Sequence, residues 1–225
     1  LIRVFLLLIF PAFSLSIFAQ GESADTLRIL PSKDLGLYLG GGWSLARLQG
    51  STYTAGTFEG APELKNSAGV FAGVCYNFYA GNSSIIRPAV EVMFLPTTIA
   101  YQTAINYKTN QKVFPMTLEC PLSWVYSSYK TKSFPRPKAK PEFGLSVRPV
   151  ITVKAFNDLE PVLLRYNINS DVFIGYPFSN DKSVTRVELF YSHGWINLIG
   201  EGTGYRTTSI QSLYRSMVGV RCIFH

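Results

Sequence analysis

Residues 113–126, VFPMTLECPLSWVY, and residues 140–154, KPEFGLSVRPVITVK, decide the fold. In the first stretch Phe114, Met116, Leu118, Cys120, Leu122, Trp124 and Tyr126 take every second position, with Pro115, Thr117, Glu119, Pro121 and Ser123 between them. In the second, Phe143, Leu145, Val147, Ile151 and Val153 alternate with Glu142, Gly144, Ser146, Arg148, Thr152 and Lys154. Successive side chains of a strand point to opposite faces, so each stretch shows one apolar face and one face carrying ions. Which face is inside then decides the class of protein.

Working outward, the same period of two recurs in eight segments, at 34–47, 67–80, 85–97, 113–126, 141–154, 163–178, 184–197 and 209–224. No helical periodicity competes with it. Leu35, Leu37, Leu39, Trp43 and Leu45 form the first apolar face, opposite Gly36, Tyr38, Gly40, Gly42 and Ser44. So many glycines on one face permit tight curvature or close backbone approach. Long connections at 48–66, 98–111, 155–162 and 198–208 alternate with tight turns at 81–84 and 179–183. That alternation is the pattern of an outer-membrane barrel, and only the long basic turn at 127–140 departs from it.

Composition narrows the class. The 225 residues fit a single β-barrel domain, and only 16% are charged where about 25% is usual. The opening LIRVFLLLIFPAFSLSIFAQ has one basic residue, Arg3, then an apolar run and small residues, so residues 1–19 read as a signal peptide. A membrane anchor is the competing reading. Residues 20–33 form a polar periplasmic lead-in, leaving 34–225 as the barrel. Cys75, Cys120 and Cys222 are odd in number and lie inside strands, which favours small hydrophobes over a disulfide framework. The net charge of +7 is spread along the strands, which does not describe a nucleic-acid surface. Its one dense run, Lys130, Lys132, Arg136, Lys138 and Lys140, reads as a solvated turn or a contact for anionic headgroups.

Two barrels fit this pattern. A soluble, secreted lipocalin-like barrel would turn the apolar faces inward around a ligand. A transmembrane barrel would turn them outward to lipid. Segments of 12 to 16 residues exceed the roughly 9–11 that cross a bilayer obliquely. The apolar faces carry almost no charge, and Trp43, Tyr76, Trp124, Tyr126, Tyr176 and Trp195 cluster toward segment ends as interfacial girdles do. The expected fold is therefore an all-β, eight-stranded antiparallel up-and-down transmembrane β-barrel with a polar, salt-bridged lumen. Arg87, Glu91, Glu119, Glu142, Arg148, Lys154, Arg165, Asp171, Arg186, Glu188, Arg215 and Arg221 are its expected lumen charges. An eight-stranded interior is filled by side chains, so these charges must pair and the pore is plugged. Pro88, Pro121, Pro149 and Pro177 are expected at bulges or near strand ends.

TLECPLSWVY at 117–126 resembles the Y-L-E-I-P-L-L-L-K-Y strand of the PorT-like family of small Gram-negative outer-membrane barrels. Lys140–Pro141 is similar to the family's start of the next strand, and Tyr191–Ser192–His193–Gly194–Trp195 to its aromatic-x-x-Gly-Leu segment. Val218, Val220 and Phe224 are similar to its terminal strand. Cys120 stands where the family has an aliphatic residue, Trp195 where it has Leu, and His225 follows the usual terminal Phe. The resemblance covers residues 34–225 and implies an outer-membrane barrel; one branch assists secretion and gliding machinery, and most members have no assigned activity.

Catalysis is not expected. A hydrolase would need a Ser or acid beside a His base, and only His193 and His225 are available. Ser192 points away from His193, so a Ser from a neighbouring strand would be required. Glu119 and Glu142 are better explained by ion pairs than by acid–base work, and neither a metal cluster nor a phosphate loop is found. The expected partners are outer-membrane lipid, the barrel-assembly machinery, and an extracellular or secretion-system protein met through the loops. No nucleic acid and no cofactor are expected. A lipid-modifying enzyme is the third reading.

Overall fold

A computed structural model of the chain describes residues 35–50, 62–80, 83–102, 108–113, 116–127, 141–154, 164–179, 184–199 and 210–225. Residues 1–19, expected as a signal peptide, residues 20–33, expected as a lead-in, Phe114, the basic run from Lys130 to Lys140 and the connection at 155–162 lie outside the described residues, as does the side chain of Lys154.

The strands are β1 (Leu35–Ser44), β2 (Arg47–Gly50), β3 (Glu63–Lys65), β4 (Ala68–Tyr76), β5 (Phe78–Tyr79), β6 (Ser84–Phe94), β7 (Thr97–Gln102) and β8 (Lys108–Val113). They continue as β9 (Met116–Glu119), β10 (Leu122–Ser127), β11 (Glu142–Lys154), β12 (Tyr166–Ser179), β13 (Val184–Gly194), β14 (Ile210–Tyr214) and β15 (Ser216–Phe224). Eight staves close a barrel in chain order: β1, β4, β6, the pair β9 and β10, β11, β12, β13 and β15. Every pairing is antiparallel, and β15 returns to β1 from Leu37↔Phe224 to Ser44↔Met217. Closure leaves no unpaired edge.

Two stretches expected as loops are partly strand. On the side of the long connections β2 pairs β14, and β3, β7 and β8 form a three-stranded sheet. Here β1 breaks at Leu45–Ala46, and β14 breaks from β15 at Arg215. Ile99, Leu198, Ile210 and Leu213 from these pieces make an apolar cluster of their own, against Leu48, Leu64 and Ile199. Polar loop composition hid it from the sequence, because its apolar residues are spread over five short segments.

The prolines require a second correction. Pro88 and Pro149 lie well inside strands, neither near their ends nor at bulges, whereas Pro177 lies two residues from the end of β12, as expected. Only Pro121 sits in a break, with Cys120, between β9 and β10. The neighbours explain two of them. Ala89 donates to the Pro121 carbonyl at 2.8 Å, and Cys120 donates to the Pro149 carbonyl at 3.0 Å. Each pair keeps one bond of the two that an antiparallel pair exchanges, because proline has no N–H for the other. The fourth stave is interrupted where donors are missing on both of its sides.

Inside, glycines make room for rings. A Cβ on Gly144 would lie 2.0 Å from Phe173 Cζ, and one on Gly40 would lie 2.1 Å from Phe71 Cζ. Backbone does approach Gly40, where the Val220 carbonyl oxygen would lie 2.6 Å from a Cβ, but the nearest group is the Phe71 ring, a side chain that the sequence reading did not anticipate. Gly144→Val is expected to destabilise the barrel by about 1–3 kcal/mol through overpacking, measured by urea unfolding of the refolded protein.

Candidate functional site

The alternation of β1 sets Tyr38 and Ser44 inward at 2% and 0% exposure, while Leu35, Leu37 and Leu39 lie outward at 59% or more. The same inversion runs round the barrel. Val74, Val90, Val92, Leu122, Leu145, Val147, Val172, Ile174, Leu189 and Val220 are all exposed. At the end nearest Leu35 and Phe224, exposed Tyr76, Tyr126 and Tyr176 lie with Phe143, Phe178 and Phe224. Trp124 stands one outward position in from Tyr126. At the other end the exposed rings are Trp43, Phe94, Tyr166 and Trp195. An apolar belt between two aromatic rims is the surface a bilayer solvates and water does not.

The ions are inside. Five arginines (Arg87, Arg148, Arg186, Arg215, Arg221) and five carboxylates (Glu91, Glu119, Glu142, Asp171, Glu188) are buried, so these ten groups balance. In the half nearer the long connections, Arg148 is the hub. Its Nη1 meets Glu91 and lies 3.0 Å from Glu119 Oε2, while Nη2 and Nε reach Asp171 Oδ2 at 2.6 and 3.0 Å. Ser146 donates to the same Asp171 oxygen at 2.7 Å, and the Tyr38 hydroxyl donates to Glu91. Arg215 crosses from the start of β15 to Glu119 Oε1 at 2.9 Å, where Thr117 also donates at 2.6 Å.

In the half nearer the termini, Glu188 is held between Arg87, at 2.5 Å, and Arg221. Arg87 Nε donates to Asn77 at 2.9 Å, and Arg186 lies 3.2 Å from Glu142. β6 and β13 are four staves apart in a ring of eight, as are β15 and β9, so Arg87–Glu188 and Arg215–Glu119 each span the full lumen. The two crossbars lie at different heights along the axis.

Ten of the twelve residues expected in the lumen meet in these networks. Arg165 does not: it is exposed just ahead of β12, and none of the ion pairs among the described residues includes it. The segment expected as a strand from 163 becomes strand only at Tyr166, so the alternation that placed Arg165 inward does not reach it. The side chain of Lys154 lies outside the described residues.

The lumen also holds more apolar matter than a polar face predicts. Tyr38, Phe71, Met93, Phe173, Phe190 and Ile223 form a buried cluster within it. Arg221 stacks over Phe173 at 4.7 Å and Phe190 at 5.4 Å, and Arg148 lies 5.7 Å from the Phe190 ring. Rings beside guanidinium groups shield them from water while still attracting the charge. The inward parity of Phe173 and Phe190 was the available signal, since both fall in register with Asp171 and Glu188.

The cysteines are free thiols: Cys75 is buried in the lumen cluster, while Cys120 and Cys222 are half-buried in the outward register. His193 does find a serine on a neighbouring strand, with Nδ1 3.2 Å from Ser216 Oγ. Ser216 is only 2% exposed, and the ring is packed between Tyr191 and Trp195. The contact ties β13 to β15 at the Trp43 end of the barrel.

No family model matches the chain, and no curated protein matches it. Among solved structures, the outer membrane protein OprG from Pseudomonas aeruginosa is similar over 84% of this chain and 96% of that one, at 13% identity and a TM-score of 0.40. A score that low adds no weight; the closed antiparallel register establishes an all-β, eight-stranded barrel by itself.

Proposed function

We propose that this protein is a non-enzymatic integral barrel of a bacterial outer membrane, a scaffold with a plugged lumen whose loop side recognises a protein partner. The supporting observation is the inversion: apolar side chains face outward round the barrel while arginines and carboxylates pair inside. A soluble lipocalin-like barrel needs the opposite arrangement, since water would face the apolar belt and a ligand would face the ions. Membrane fractionation with heat-modifiable gel mobility tests the location. Recovery in the membrane fraction with faster mobility before heating is expected, and recovery in the aqueous fraction would overturn it.

The crossbars support a plugged lumen. In planar bilayers the purified protein is expected to give no steady large conductance, and regular large steps would refute the plug. The sheets formed by β2 with β14, and by β3, β7 and β8, give the loop side a platform of paired strands, and loops carried on such a scaffold are where recognition resides. The resemblance to PorT-like barrels favours a secretion-assembly partner over adhesion. Crosslinking in intact cells, followed by identification of neighbours, tests this; recovery of the barrel-assembly machinery alone would count against a dedicated partner.

The near-complete burial of Ser216 supports the absence of hydrolysis. His193→Ala is expected to leave envelope lipid composition unchanged while costing about 1 kcal/mol of stability for the lost hydrogen bond. An altered lipid A or phospholipid profile would instead favour the enzyme reading.

A further inference from the structure

Three successive seams of the wall lose a ladder bond within one band. Neighbouring N–H groups of a strand point to opposite sides, so Ala89 donates to the fourth stave while Pro88, which has no N–H, faces β4. There the ladder stops at Cys75↔Ala89 and resumes only at Phe78↔Ile86. Pro121 offers no donor to the Ala89 carbonyl, and Pro149 none to the Cys120 carbonyl. Across the barrel the register runs unbroken: β12 pairs β13 from Asn169↔Gly194 to Ser179↔Val184, and β13 pairs β15 from Thr185↔Phe224 to His193↔Ser216.

The break at Cys120–Pro121 separates an anchored strand from a loosely held one. β9 is tied into the lumen by Glu119, which meets Arg148 and Arg215. β10 turns Ser123, Val125 and Ser127 inward, sends no ion into the lumen, and has Val125 as its one member of the buried apolar cluster. Behind the break, Ala89, Pro121 and Ser123 line a cavity of about 10 Å³ with Arg87 and Arg221, whose Nη2 atoms have no partner among the described residues.

We propose that β10 is a moving part of the wall, hinged at Cys120–Pro121, which peels from β6 and β11 while β9, β12, β13 and β15 stay in place. Segments with the fewest backbone bonds and buried contacts open first. The missing bonds on both sides of the hinge lower the resistance to this motion, and the cavity gives Pro121 and Ser123 space on the lumen side. As β10 moves, the Ala89 carbonyl is free to turn toward the two arginine donors that line the same cavity. Both crossbars survive the motion, since neither includes a residue of β10. The lumen therefore opens sideways, toward the apolar belt, and not along its axis.

Hydrogen–deuterium exchange of the full barrel refolded in detergent tests this. Peptides covering Leu122–Ser127 are expected to exchange roughly ten-fold faster than those covering Val172–Tyr176 and Val187–Tyr191. Pro121→Ala supplies the missing donor to the Ala89 carbonyl. It is expected to slow exchange in β10 by about five-fold, the effect of one net backbone hydrogen bond, with β12 and β13 unchanged. Equal exchange in β10, β12 and β13 of the unsubstituted barrel would overturn the hinge, whether or not the variant refolds. Slowing of all strands alike in Pro121→Ala, or of none, would also overturn it. None of these results bears on membrane location, which fractionation tests separately.

Discussion

Replacing Arg148 by Leu is expected to destabilise the barrel by about 3–5 kcal/mol, the usual cost of stranding a buried partner. Arg148 is fully buried and serves Glu91, Glu119 and Asp171. Glu119 keeps Arg215, and Glu91 keeps the Tyr38 hydroxyl, so the largest share of the loss falls on Asp171. Its other described donor is Ser146. Urea unfolding of the refolded barrel, followed by tryptophan fluorescence, measures the change. The double variant Arg148→Leu with Asp171→Asn is expected to recover part of the loss, because it removes the stranded charge along with its partner. Arg148→Lys is not expected to substitute, since one ammonium cannot reach three carboxylates in a fork. A loss below about 1 kcal/mol for Arg148→Leu would mean that water reaches the hub and that the lumen is not packed as described.

The second large effect lies on the opposite face. Leu39→Arg is expected to cost about 2–4 kcal/mol in a bilayer, whereas Trp43→Arg is expected to cost about 0–1, because the penalty falls from the midplane to the interface. Both residues are exposed, at 59% and 51%, and both belong to β1, paired with Cys222 and Val218 across the seam that closes the barrel. They differ in depth: Leu39 is central in the strand and Trp43 sits near its end. In a soluble barrel both substitutions would be surface changes within about 0.5 kcal/mol. Equal and small effects in lipid vesicles would therefore count against a membrane-spanning belt, and a depth-dependent difference would support it.

The two predictions rest on opposite faces of the same alternation, which is why so much of the fold was legible. Leu122, Trp124 and Tyr126 share one parity, Ser123 and Val125 the other, and any flat or closed sheet must separate them. Eight such segments with almost no ions on the apolar parity already favoured a barrel with its apolar face outward, as observed. Ten lumen charges follow from parity alone. Arg165 shows the limit of that method, because parity carries information only where a strand is present. The prolines show another, since tolerance of Pro121 and Pro149 depends on Ala89 and Cys120 in neighbouring staves.

The sequence by itself determined the number of staves and, within the strands, which side chains face inward, because these follow from a period of two and from the separation of apolar and ionic residues onto opposite parities. Only the tertiary structure decided who pairs with whom. Arg87 meets Glu188 across 101 positions of chain, and Arg215 meets Glu119 across the full width of the lumen. Such partners are set by stagger between staves and by glycines that admit Phe71 and Phe173, quantities that no local pattern carries. The apolar cluster of Ile99, Leu198, Ile210 and Leu213 is of the same kind, assembled from segments too short to show a period. The opening stretch, 113–126 with 140–154, thus announced the inverted barrel, while its interruption at Cys120–Pro121 took its meaning only from the strands on either side.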